Sequence, residues 1–245
     1  MTDYYKLKFI ILGQHAIALF GLIYLFSWQG VLLSFVAWQF YYSYGMILGF
    51  HRVFAHKTYT VSNSSKISML IFGSLAGMGS SIGWIGQHRS HHAHADNPEL
   101  DPYFSKFTLI EKFKAWFTYP AITKFKISLI KDIIKDKSHV FFHTHYYKIL
   151  AVWVIFLSMF GVEAVVYLWA LPNVFTYTAL TIVGTLGHNI GNQPVCKSEE
   201  GRDCHWLNLL TLGESYQNSH HVAPTAKIQG RLDFIGYGSK LFFKE

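Results

Sequence analysis

Residues 31–56 read VLLSFVAWQFYYSYGMILGFHRVFAH. The first part, 31–50, contains no Asp, Glu, Lys or Arg. Crossing the hydrocarbon core of a bilayer takes about 20 helical residues, and this run has that length. Two histidines, His51 and His56, follow where the run ends. The stretch therefore reads as a membrane-spanning helix that delivers imidazoles to one membrane surface.

Three further runs are apolar over comparable lengths: 9–26, 149–171 and 174–188. Ser27-Trp28-Gln29-Gly30 separates the first from 31–50, and Pro172-Asn173 separates the last two, so the runs pair as two helical hairpins. Composition agrees. Of the 245 residues, 51% are hydrophobic and 14% charged, against about 25% charged in a soluble domain. Aromatics, at 18%, suit a chain lying among headgroups and acyl tails. The expectation is an all-α integral membrane protein, a single domain over 1–245, with no internal repeat. The opening MTDYYKLK lacks the marks of a cleaved signal peptide. Cys196 and Cys204 read as free thiols in a reducing compartment.

The net charge of +7 does not indicate nucleic acid, because the lysines sit where a cytosolic loop belongs. Between Lys106 and Lys148 there are nine lysines and three acids, whereas both hairpin turns are uncharged. Positive loops stay inside. The turns therefore face outward, and the lysine-rich segment and both termini face the cytosol. Parity then settles the run 67–85, which carries four glycines. If it crossed, His88 and the lysines would emerge outside. It is expected to be an interfacial helix, leaving four spans. Glu163, inside the third span, is an ionisable group in lipid and costly there.

Histidines gather in three clusters: His51 and His56; His88, His91 and His92; and His220 and His221 preceded by Gln217. On a helix, positions i, i+3 and i+4 share a face, so each of the latter two clusters can converge on one site. The parity argument puts all three on the cytosolic side. Imidazole suits iron, copper, zinc and nickel, and seven histidines exceed the needs of one tetrahedral zinc. Two metals fit better, and a pair of irons can reduce oxygen to an oxidant for unactivated C–H bonds. The Glu-x-x-His motifs of carboxylate di-iron bundles are absent. His15 reads as a packed polar residue, and His139, His143 and His145 as a loop.

The clusters and their flanks resemble those of the membrane fatty acid desaturases of the delta-9 acyl type. GFHRVFAHKTY is similar to their first histidine box. WIGQHRSHHAHADNPELDPY is similar to the second, with Trp84, Asp96 and Asp101 around it. LLTLGESYQNSHHVAP is similar to the third, with Gly213 and Glu214 ahead of it. The resemblance covers nearly the whole chain. It implies four spans under a cytosolic cap holding two iron ions, with His188 in GTLGHNIGN as a further ligand. The implied metal ligands are His51, His56, His88, His91, His92, His188, His220 and His221, with Gln217 as a ninth. Asp96, Asp101, Glu214 and Asn218 are the expected groups orienting the ring N–H atoms, and Trp84 is expected to line the acyl tunnel.

The implied reaction is oxygen-dependent desaturation of a fatty acyl chain, carried on CoA, lipid or acyl carrier protein. Electrons come from a separate carrier, a cytochrome b5 or a ferredoxin with its reductase. The implied location is a bacterial inner membrane, or the endoplasmic reticulum in a eukaryote. Three positions depart from the family pattern: Gln217 replaces a histidine, Gly184 replaces an asparagine of the animal enzymes, and Gly86-Gln87 replaces their Arg-Asp. Hydroxylases and terminal-alkene-forming oxidases share the scaffold, and a non-catalytic metal-binding membrane protein would share the clusters.

Overall fold

The long apolar runs fold as helices. The structure, a computed structural model, describes residues 3–95, 97, 99–101, 125–198 and 201–243. Everything regular among them is helical, apart from two isolated antiparallel bridges, Asn192 with Asp203 and Asp203 with Tyr216. Three helices are long and apolar enough to cross a membrane, or four if one bent pair counts as a single span. The chain divides into two compact units.

The first unit comprises Met1–Phe50, Asn63–Trp84 and Ile130–Tyr177. It contains helix α1 (Asp3–Tyr24) and most of α2 (Trp28–Ala55). Ser27 caps α2, its hydroxyl accepting from the Gly30 N–H at 3.2 Å. From Gln39 to Ala55 the helix is wound in the wider π form. The turn between α1 and α2 is tied down by Tyr167, whose hydroxyl accepts from the Ser27 N–H at 2.9 Å and donates to the Leu25 carbonyl. Val166, Tyr167, Trp169 and Ala170 form a buried core with Ala18 and Leu157. Phe9, Trp28, Leu32, Val152, Met159 and Phe160 are exposed. So much outward apolar surface is unusual in a monomer surrounded by water and marks a membrane-associated protein.

Two expected boundaries are corrected. The second hairpin does not turn at Pro172-Asn173. α6 (Tyr146–Ser158), which follows α5 (Lys137–Thr144) at a 65° bend, ends before Gly161, and α7 then runs unbroken over Val162–Leu186. Gly161 has φ 103° and ψ 167°, a region essentially reserved for glycine, and it makes the turn. Pro172 lies within α7 without breaking it. A proline leaves the carbonyl four residues earlier without its helical partner, and that carbonyl, of Leu168, accepts from the Tyr41 hydroxyl at 2.6 Å. Asn173 is buried, donating to the Leu75 carbonyl at 2.9 Å. The helix expected over 67–85 is likewise two helices, α3 (Asn63–Leu75) and α4 (Ser81–His94). Gly77 and Gly79, both at positive φ, separate them.

The second unit comprises His51–Ser62, Ile85–Leu129 and Thr178–Glu245. After α7 its helices among the described residues are short: α8 (Asn208–Thr211), α9 (Gln217–Val222) and α10 (Phe234–Phe242). The two bridges through Asp203 knit its loops together. Cys204 is a buried free thiol, and Cys196 forms no disulfide with it.

Candidate metal centre

Every histidine of the three clusters, and His188, lies in the second unit. They form two groups whose ligand nitrogens lie within 4.8 Å of one another: His51, His56, His88, His92 and His220 in one, and His91, His188 and His221 in the other. The groups adjoin, since the His92 and His221 rings stack with centroids 4.5 Å apart.

The division corrects the expectation that each cluster serves one site. Adjacent helical residues point about 100° apart, whereas i and i+4 nearly align. On α4, His88 and His92 therefore go to the five-histidine group and His91 to the other. On α9, His220 and His221 part in the same way. A His-His pair on a helix is thus a device for serving two neighbouring sites. His51 and His56 reach the same group through the π winding of α2, in which the His56 N–H donates to the His51 carbonyl five residues back, at 3.1 Å. π turns of this kind are frequent at functional sites.

The imidazole nitrogens face one another. Nε2 of His51 is 3.1 Å from Nε2 of His220, which is 3.0 Å from that of His92. Nε2 atoms of His56 and His88 are 2.7 Å apart, and those of His91 and His221 3.1 Å. Imidazole nitrogens bind a first-row metal such as zinc at about 2.1 Å, so neighbouring ligand atoms at right angles stand about 3 Å apart. The observed spacings match.

Carboxylates set the tautomers. Asp101 holds its oxygens 2.8 and 2.9 Å from His91 Nδ1, and Glu214 Oε2 lies 2.8 Å from His51 Nδ1. A carboxylate at Nδ1 keeps the proton there and leaves the Nε2 lone pair for a metal. Burial is the main cause pushing the pKa of His56, His88, His92 and His220 well down, with neighbouring histidines adding to it. Burial also outweighs Asp101 at His91, whose pKa falls to about 4. At Glu214 burial works upward, but Arg52 and His51 prevail and hold the carboxyl at about 2. Neutral rings beside ionised carboxylates are the donor set that a first-row divalent metal requires. The residues present fit a pair of such ions.

The other expected site residues are placed as follows. Gln217 is buried, its amide donating to the Glu214 carbonyl at 2.7 Å. Asn218 does not orient a ring: its oxygen accepts from the N–H groups of Val195 and Cys196, and its nitrogen donates to the Cys196 carbonyl. Its length suits a loop pin as well as a histidine partner, and only the fold distinguishes the two. Asp96 lies outside the described residues, as does the lysine-rich segment from Lys106 to Lys124. Trp84 is buried, its ring 6.2 Å from that of Phe50, both in the first unit. His15, His139 and His143 stay out of both groups, bonded to the Ile11 carbonyl, Ser81 and Ser80 respectively. Glu163 is exposed in the first turn of α7, beside the hairpin turn.

Three supporting residues escaped the sequence reading. Arg89 donates to the carbonyls of Phe54, Ala55 and Leu129 at 2.7, 3.0 and 2.7 Å, fastening α4 to the end of the π-wound segment. Asp203 accepts from the Ser219 N–H at 3.0 Å and from its hydroxyl, capping α9. Arg52 is buried between Glu214 and Asp233. Arg52 and Arg89 each directly follow a cluster's first histidine, which was an available signal. Asp203, 16 residues from its partner, had none.

A family model described as Fatty acid desaturase matches residues 24–229. The chain is 30% identical over 216 residues to an sn-2 palmitoyl-lipid 9-desaturase of Nostoc sp. (strain 36), covering 86% of this chain and 75% of that protein. It is 28% identical to an sn-1 stearoyl-lipid 9-desaturase of Anabaena variabilis, covering 86% and 78%. Acyl-CoA desaturase 1 of Saccharomyces cerevisiae is 29% identical over 76% of this chain and 39% of its own length.

Proposed function

The chain belongs to the fatty acid desaturase family, and from that premise we propose that its eight clustered histidines hold two iron ions beside which an acyl chain loses a pair of hydrogens. The activity is desaturation of a fatty acyl chain, an oxidoreductase reaction. Its balance is one CH2–CH2 unit, O2, two electrons and two protons giving one CH=CH unit and two waters. Bound irons supply the reduction of oxygen and the abstraction of hydrogen, which no side chain here can perform.

The observation carrying the reading is the pair of adjoining histidine groups with carboxylates at Nδ1. His51, His56, His88, His92 and His220 hold one ion, and His91, His188 and His221 the other. Gln217 offers its amide oxygen to the second, because its nitrogen is already committed to a carbonyl. Asp101 and Glu214 fix the ring orientations, and Trp84 forms part of the acyl wall. The two units act as one desaturase domain over 1–245.

The proposed substrate is a lipid-bound saturated chain, desaturated at the delta-9 position. The first relatives named above are acyl-lipid 9-desaturases. Where acyl-CoA enzymes of animals carry Arg-Asp, Gln87 is buried here, and a Cβ on Gly86 would stand 2.3 Å from the Phe125 ring. An arginine at 86 would require the Phe125 ring to move.

In the proposed topology four helices span a bacterial inner membrane, with both termini and the metals cytosolic. Lys126, Lys131, Lys135 and Lys137, all exposed, attract an acidic separate carrier, a ferredoxin or cytochrome b5 with its reductase.

The test is the fatty acid profile of lipids from cells expressing the chain or His92→Ala, read by gas chromatography with mass spectrometry. A delta-9 monounsaturated chain on glycerolipid, absent in the variant, is expected. A hydroxylated or terminal-alkene product would move the assignment to a related oxidase.

A further inference from the structure

Arg52 follows His51 and is almost wholly buried. Its Nη2 donates to Glu214 Oε1 at 2.7 Å and to Asp233 Oδ1 at 2.8 Å, and its Nη1 to the Lys227 carbonyl at 3.3 Å. Both carboxylates are buried as well. Glu214 uses its second oxygen on His51 Nδ1, 2.8 Å away. Asp233 is anchored independently, accepting from the N–H groups of Gly236 and Gln229 at 2.7 and 2.8 Å, and so holds the guanidinium from behind. The approach is tight: a Cβ on Gly213, at φ 116°, would stand 2.6 Å from the Asp233 Cα.

Two features go beyond packing. The chain Asp233–Arg52–Glu214–His51 ends on a nitrogen-donor group, so the position of the guanidinium fixes that of the ring. The charge count is also uneven, with one guanidinium facing two carboxylates. A surplus buried negative charge is costly unless a cation lies close, and the five-histidine group lies one residue beyond.

Resting on the two-metal reading above, we infer that Arg52 is a positioning residue for metal binding: it seats Glu214 on His51, and the cation at the five-histidine group balances the second carboxylate. The three-histidine group, oriented by Asp101 instead, is independent of this relay. Lysine at 52 keeps the charge but not the planar fork that spans two carboxylates.

The experiment is a titration of the full-length, metal-free protein in detergent with Co2+, followed by its visible absorption, for wild type, Arg52→Lys and Glu214→Gln. Melting of each metal-free protein is recorded alongside. Loss of partners that orient a ligand typically weakens metal binding 10–100-fold. Arg52→Lys is expected to weaken one of two binding phases by that factor and leave the other unchanged. Its metal-free melting temperature is expected to fall as well, because two buried carboxylates lose bonds that the planar fork supplied, so the split between the two binding phases, not the melt, carries the test. Glu214→Gln, nearly isosteric, should weaken the same phase, and it carries the test if Arg52→Lys does not fold. Two unchanged phases in the folded variant would overturn the inference, as would equal weakening of both. A lower melting temperature with intact Co2+ affinity would show a merely structural role and overturn it too. Failure of wild type to take up two ions would instead contradict the two-metal reading.

Discussion

A histidine can hold a metal only if it has a lone pair to offer, and burial secures this for most of the eight. His91, held near pKa 4 against an ordinary 6.5, gives a definite pH dependence. Between those values the unfolded chain binds the proton and the folded chain refuses it. Stability of the metal-free protein is therefore intact above about pH 6.5 and falls as pH drops toward 4. His56, His88, His92 and His220 act in the same direction. Thermal melts of metal-free protein at pH 7.5 and 5.0 should show the lower temperature at 5.0, and equal temperatures would oppose the burial argument. Asp101 makes a second prediction. Asp101→Asn should weaken one metal per chain by about 10–100-fold and spare the other, as read by metal content after dialysis against a mild chelator. The histidines were legible in the sequence because their spacing is local. Their partition was not, since sending His91 and His92 to different sites depends on the orientation of a helix among partners distant in sequence.

Helices show the same contrast. Run lengths located α1 and α2 but not their ends: the runs 9–26 and 31–50 fold as Asp3–Tyr24 and Trp28–Ala55. The π winding of Gln39–Ala55 left no trace in composition, although the five-residue gap from His51 to His56 was its outward sign. Pro172 misled because its usual effect is cancelled from another helix by the Tyr41 hydroxyl, a contact that no local pattern encodes. Gly161 carries the turn instead. Gly161→Ala should destabilise the protein by about 1–3 kcal/mol, the strain of a side chain in that backbone region. A lowered melting temperature in detergent checks it, and an unchanged one would place the turn elsewhere. Glu163 then needs no special role, since it sits exposed in the first turn of α7, at the end of a candidate span and beside the turn.

At the scale of the molecule, both histidine groups belong to the second unit, whereas exposed apolar side chains occur in both: Phe9, Trp28 and Phe160 in the first, Trp206, Leu209 and Leu210 in the second. The charge pattern predicts sidedness. In a chain whose native Cys196 and Cys204 are replaced by Ser, Met159→Cys should react with an impermeant thiol reagent added outside intact cells. Reaction only after permeabilisation would invert the topology. The central claim is that eight histidines make two metal sites, and the most direct measurement is iron per folded chain in wild type, His56→Ala and His91→Ala, by mass spectrometry of the purified membrane protein. The account predicts two irons in wild type and about one in each variant, because each substitution removes a donor from a different group. Full retention of iron in both variants, or a single iron in wild type lost in either, would contradict it.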